Sequence, residues 1–237
     1  MYGSQKIWYI VQGDRMKLRH KKWILYPVSA LAVLFLVLLT VGIVYRESLR
    51  PEISVCLDAG HGGEDCGATY GDRLEKDDNL RLTLLVRDEL EANGIKVYLT
   101  REDDTYLTLA ERCQIANRKH CTLFVALHRN SSDSGGSGVE MWVKNTPSDT
   151  EWALAENMLS ALEDAGISKA RGVKSGYAKN ADGNYYVNAH TNMPSCLAEI
   201  GFITSDGDNA LFDENLDAYA DAIAKGILET LGSMTEE

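Results

Sequence analysis

From Ile53 onward the chain alternates short apolar runs with longer stretches that are apolar on one side only, and this rhythm constrains its fold more than any other feature. Apolar runs at 53–57, 96–100, 122–127, 139–143 and 196–200 read as strands. Between them, Asp77 to Ala92, Leu107 to Arg118 and Thr150 to Ala165 read as helices. In the first, Leu80, Leu84, Leu85 and Leu90 keep helical spacing and Asn93-Gly94 is the stop; Gly166 closes the third. A last helix is expected from about Asn215 to Leu231, while 131–138 and 171–194 read as loops. Alternation of this length predicts an α/β fold, a single three-layer domain with a mostly parallel twisted sheet flanked by helices. In such sheets ligands gather at the carboxyl ends of the strands.

The first 52 residues follow a different logic. Ile24 to Tyr45 is a run of 22 residues without a charge, about 33 Å long as a helix and so able to cross a bilayer. No small-residue cleavage pattern follows Tyr45, so the run reads as a retained anchor over 23–45 rather than a signal peptide. Lys6, Arg15, Lys17, Arg19, Lys21 and Lys22 precede it against Asp14 alone. The positive-inside bias then places segment 1–22 in the cytoplasm and, beyond a linker at 46–52, a domain over 53–234 outside the cell membrane. The whole chain carries a formal charge of −11, so the body beyond this basic head is strongly acidic. An acidic body without basic patches argues against a nucleic-acid partner. The five cysteines show no C-x-x-C spacing and predict neither a thiolate metal cluster nor a disulfide framework, although an outward-facing domain permits a Cys113–Cys121 bridge.

Two of the apolar runs end in histidine: Leu57-Asp58-Ala59-Gly60-His61-Gly62-Gly63 and Phe124-Val125-Ala126-Leu127-His128. With Glu75 between them in sequence they form the set from which a catalytic zinc site is assembled, three protein ligands and an open fourth position. Each residue also has a plainer reading. His61 sits among glycines as an exposed loop histidine would, Glu75 precedes a helix whose dipole favours an acid, and His128 ends a strand as a hydrogen-bonded core histidine would. Asp77 and Asp78 are placed to cap that helix, which leaves Glu75 free to coordinate. Asp58 either orients a ring nitrogen of a ligand or caps the glycine turn. Asn130 and Ser131 after His128 favour an open cleft, whereas His120 and His190 read as surface residues. Glu199, inside the apolar run Leu197 to Phe202, needs a partner or a proton; it is either a general base near the metal or the buried partner of an arginine such as Arg112.

In their order, these segments resemble the type 3 family of zinc-dependent N-acetylmuramoyl-L-alanine amidases. The likeness extends over 53 to about 232 and adds Glu75-Lys76-Asp77-Asp78-Asn79-Leu80, Thr100-Arg101 with Leu109, Arg112 and Ala116-Asn117, and Met193-Pro194 through Ile203. It implies that His61, Glu75 and His128 bind one Zn2+ per chain and that Glu199 is catalytic. The substrate would be peptidoglycan, cut between N-acetylmuramic acid and L-alanine. Ala59, Arg129, Cys196 and Ile200 depart from the family's usual residues without removing a functional group, and Arg129 beside the metal is expected to influence which substrate ends are accepted. A spore-cortex or germination role and an activator protein are further expectations by analogy. The rival readings are a zinc peptidase acting on the stem peptide and a non-catalytic wall-binding protein.

Overall fold

The structure, a computed structural model, describes residues 30–43, 45, 52–166, 168–179 and 182–235. The chain divides into two compact units, Met1–Glu52 and Ile53–Glu237. In the first, residues 30–43 are helical (α1) and every side chain along them is exposed. Among the described residues no helix is long and apolar enough to cross a membrane. Helix α1 is part of the anchor expected over 23–45; 23–29 and 44, together with segment 1–22 and linker residues 46–51, lie outside the described residues.

The second unit is a six-stranded sheet between helices. Its elements are β1 (Ser54–Ala59), the hairpin β2 (Thr69–Tyr70) and β3 (Arg73–Leu74), α2 (Glu75–Ala92), β4 (Lys96–Leu99), α3 (Leu109–Lys119), β5 (Leu123–Asn130), β6 (Val139–Val143), α4 (Asp149–Asp164), β7 (Ala170–Ser175), α5 (Tyr186–His190), β8 (Ser195–Phe202), α6 (Asp206–Glu214) and α7 (Leu216–Met234). The strand order is β4-β1-β5-β8-β6-β7. β4, β1, β5 and β8 run parallel, β6 is antiparallel to β8, and β7 is parallel to β6. The sheet is thus mostly parallel, as the alternation predicts.

Side chains alternate between the two faces of a strand, and here they enter two separate cores. Val55, Leu57, Leu123, Val125, Leu127, Met141, Ala198 and Ile200 pack with the buried residues of α2, α4 and α7. Cys56, Phe124, Ala126, Trp142 and Leu197 face the other way, against Cys113 and Ala116 of α3 and Val187 of α5. Helices α3 and α4 start in capping boxes, Thr108 with Glu111 and Ser148 with Glu151. Helix α2 does not: its N-cap, Leu74, makes no side-chain cap bond. The capping role expected of Asp77 and Asp78 is therefore corrected, and Asp78 instead receives Arg73 and Arg129. Two further corrections concern the passage read as loop and the last helix. β7 and α5 lie within 170–190, where glycine and basic residues hide the strand, and α6 precedes α7. All five cysteines are free, so no Cys113–Cys121 bridge is present.

Candidate active site

Strand alternation builds the floor of the site. On β5, Phe124 and Ala126 point into the thinner core and His128 is the next residue on that face. Across the sheet His128 pairs in register with Glu199 of β8, and Glu199 with Glu140 of β6. One histidine and two carboxylates thus stand side by side just where the cover of α3 and α5 ends. The irregularity between His128 and Asn130, with Gly201 at φ 75°, marks a bulge beside the row.

The other two members arrive from turns. His61 follows β1 in a left-handed conformation, φ 62°, and Glu75 is the first residue of α2. Glu75 Oε1 lies 3.3 Å from His61 Nε2 and 2.9 Å from His128 Nδ1. It also accepts the backbone N–H of Arg129, while Oε2 accepts that of Ala68. Gly60 makes room for this meeting, because a Cβ there would fall 2.2 Å from the His128 ring. Burial disfavours a charge on Glu75, but the bonds to His128 and His61 outweigh it and hold the carboxyl well below the usual range.

The turn itself is clamped from below. The carbonyl of Ala59 accepts from Arg101 Nε and Arg112 Nη1, that of Gly60 from Arg101 Nη2 and Asn79 Nδ2, and that of His61 from Arg112 Nη2. Arg101 and Arg112 are both buried.

One donor atom from each of His61, Glu75 and His128 lies within 4.8 Å of the other two. Zinc ligands at about 2.0–2.2 Å from the ion stand about 3.3–3.6 Å apart at tetrahedral corners, so two imidazole nitrogens and a carboxylate oxygen gathered this closely fit the ion. Asp65 Oδ2, 2.8 Å from His61 Nδ1, fixes the ring so that Nε2 faces Glu75. Burial works against a charged His61 ring, yet the Glu75 and Asp65 carboxylates raise it to about 9, so a metal ion would have to displace a proton from this ring. Glu199 lines the same cleft, of about 610 Å³. Its Oε2 is buried with no hydrogen-bond partner among the described residues. Burial pushes its carboxyl up to about 7; Glu75 and Glu140 add to the rise while His128 and His61 oppose it. A carboxyl of that kind beside a His/Glu/His set is equipped to take and return a proton near neutral pH.

The profile of the N-acetylmuramoyl-L-alanine amidases, Amidase_3, matches residues 55–229. The chain belongs to this family. The uncharacterized protein YqiI of Bacillus subtilis (strain 168) is 38% identical over 73% of the amidase chain and 82% of its own length. Among solved structures, the N-acetylmuramoyl-L-alanine amidase of Clostridium difficile 630 superposes with a TM-score of 0.71 at 30% identity, over 78% of this chain and 99% of that one. The CwlD amidase of Clostridioides difficile, solved in complex with the GerS lipoprotein, superposes at 0.69 with 29% identity, over 76% and 99%. The amidase is therefore an enzyme of the cell wall, with peptidoglycan as the substrate its family implies.

Three residues around the amidase site depart from expectation. Asp58 touches neither histidine ring; its Oδ1 accepts from Thr100 Oγ1 and Arg112 Nη1, and the orienting role belongs to Asp65. Arg112 pairs with Asp58 rather than with Glu199, whose Oε2 has no hydrogen-bond partner among the described residues. Arg129 alternates onto the opposite face from His128. Its guanidinium is buried against Asp78 and Asn209 and over the Phe212 ring, 4.2 Å from the centroid. Arg129 still lines the cleft, but its guanidinium is turned to these partners rather than to the metal set. Asn130 lines the cleft and donates to Glu140, the residue sequence reasoning missed. Glu140 is held charged, below the usual range, because Lys174, Arg171 and Trp142 bond it more strongly than burial opposes. Alternation from Trp142 was the signal that would have placed it in the row.

Proposed function

We propose that the amidase is a zinc-dependent hydrolase, anchored in the cell membrane by its N-terminal segment, that cleaves the bond between N-acetylmuramic acid and L-alanine. The observation that carries this is Glu199 Oε2, in register beside His128 and without a hydrogen-bond partner among the described residues. His61, Glu75 and His128 would hold a Zn2+ ion, which when bound would supply Lewis-acid polarisation of the scissile carbonyl and acidify water. Glu199 accepts the proton of the attacking water and returns it to the departing amine of L-alanine. Asp65 holds the His61 ring, and the hydrogen-bonded Glu140 keeps Asn130 turned across the floor.

Support for the anchor comes from the uncharged run 24–45 and from the exposed apolar side chains of α1, among them Leu31, Phe35 and Leu38. The basic flank sets the N-terminus in the cytoplasm. The CwlD–GerS complex makes an activator protein part of the proposal. A role in spore-cortex processing or germination is part of the same proposal, by analogy alone.

Digestion of purified peptidoglycan by the full chain in detergent, read by mass spectrometry, tests the reading. Zinc-dependent release of intact stems bearing L-alanine at the new amino end is expected. Cuts inside the stem would make the enzyme a peptidase, and zinc bound without any release would make it a binding protein or one awaiting its activator.

A further inference from the structure

Strand β5 is paired on both sides as far as Leu127 and less regularly beyond it. Its pairing with β1 ends at Ala59 and Leu127, and its register with β8 slips between His128 and Asn130. At this slip the backbone N–H of Arg129 donates to Glu75 Oε1 at 3.1 Å. The helix that supplies Glu75 also starts without the usual device. Leu74 gives α2 no side-chain cap, and the N–H groups of Glu75 and Lys76 are taken by the carbonyls of Ala68 and Cys66. Two members of the candidate metal set, His128 and Glu75, therefore stand on backbone that regular secondary structure fixes only in part.

The buried Arg129 side chain joins these two pieces of backbone from behind. Its Nη1 donates at 2.5 Å to Oδ2 of Asp78, in the first turn of α2, and its Nη2 at 2.7 Å to Oδ1 of Asn209 on α6. Asp78 is shared: Arg73 of β3 donates to the same oxygen through Nε and grips Asp213 of α6 with both Nη atoms. The Phe212 ring of α6 packs against both guanidiniums, 4.2 Å from Arg129 and 5.4 Å from Arg73. A buried ion pair often adds no more stability than apolar side chains of the same size. What it adds is direction, because a planar guanidinium meets a carboxylate in few geometries. A line of contacts thus runs from His128 through Arg129 and Asp78 to Glu75, backed by the hairpin and α6.

We propose that Arg129 is a positioning residue for the metal: its ion pair with Asp78 locks the first turn of α2 to the end of β5 and so sets the separation of Glu75 from His128. The guanidinium acts through two ligands at once, His128 as its chain neighbour and Glu75 through the helical turn that Asp78 shares. The inference rests on the zinc reading above and assigns to this chain the device that keeps its ligands at binding distance.

Zinc affinity of the full chain in detergent, measured in competition with a chelator, tests it. Arg129→Met removes the charge and keeps much of the side chain; it is expected to weaken zinc binding about 10–100-fold, the range for residues that orient metal ligands. Asp78→Asn is expected to do the same, and the double variant to lose no more than the larger single loss, because both changes open one contact. Arg129→Lys keeps a cation for Asp78 without the second bond to Asn209. An intermediate loss is expected there, and this variant carries the test if Arg129→Met does not fold. The visible spectrum of the cobalt(II)-loaded chain, which reports ligand geometry, should shift in the Arg129 variants and stay unchanged in Leu154→Ala, a destabilised chain with the clamp intact. Zinc affinities and cobalt spectra in the Arg129 variants equal to those of the parent or of Leu154→Ala overturn the proposal. Should the parent itself bind no zinc, the zinc reading falls and the clamp is judged on metal-free crystals. Opening of the 2.9 Å contact between Glu75 and His128 in the Arg129 variants sustains it, and persistence of that contact overturns it.

Discussion

The two faces of the sheet are covered unequally. On one lie α2, α4 and α7, with 18, 16 and 19 residues; on the other lie α3 and α5, with 11 and 5. Under the long helices the inward positions stay apolar almost to the strand ends, as Leu123, Val125 and Leu127 show on β5 before Arg129, whose guanidinium is paired with Asp78 and Asn209. Under the short ones the apolar sequence stops early, and Phe124 and Ala126 give way to His128. A strand buried equally on both sides could not hold a row of His128, Glu199 and Glu140, because burying such groups without partners is costly. The thick face supplies stability, and the gap in the thin face supplies chemistry.

That division can be broken by experiment. The largest effect is expected from Glu199→Gln, which should cost turnover about 10²–10⁴-fold while zinc content and thermal stability hold. Loss of the metal in that variant, by elemental analysis, would move Glu199 into the ligand set. On the thick face Leu154→Ala should cost about 2–5 kcal/mol in denaturant unfolding, with zinc still bound by the folded fraction; a stability near that of the parent would mean that the long helices are not the main support. Asp65→Ala should weaken zinc binding about 10–100-fold in competition with a chelator, and an unchanged affinity would deny it the orienting role. The smallest effect is the acid limb of kcat/KM. Protonated Glu199 cannot accept a proton, so activity should fall as pH drops through a limb at or below about 7, since the ion's charge draws that carboxyl down. For the zinc-free chain the sign for stability is the reverse of an ordinary paired acid. The folded carboxyl binds its proton more tightly than the unfolded one, so stability contributed by the protonated group declines as pH rises towards about 7. Glu199→Gln should flatten both profiles.

The unequal cover also explains what the sequence made legible. Strands β1, β4, β5, β6 and β8 and helices α2, α3, α4 and α7 are announced by apolar periodicity, and His61 and His128 by apolar runs that end in histidine. β7 is not, because its Arg171 and Lys174 are there to neutralise Glu140, a need visible only once the strands are adjacent. α6 is masked by Gly207 and its acids, whose cap is Ser205. Asp65 stands four residues after His61, but the glycine turn that folds it back has no period to read. Arg129 shows the opposite failure: counting alternate residues from His128 was enough to send it to the far side, and proximity in sequence was a poor guide to proximity in space.

The clamp beneath Ala59, Gly60 and His61 bears on the order of events in the enzyme's life. The strained turn that presents His61 is gripped by two guanidiniums and an amide of the protein itself. On the zinc reading proposed above, the fold would need no ion to close this turn, and metal loading would follow folding as a separate step.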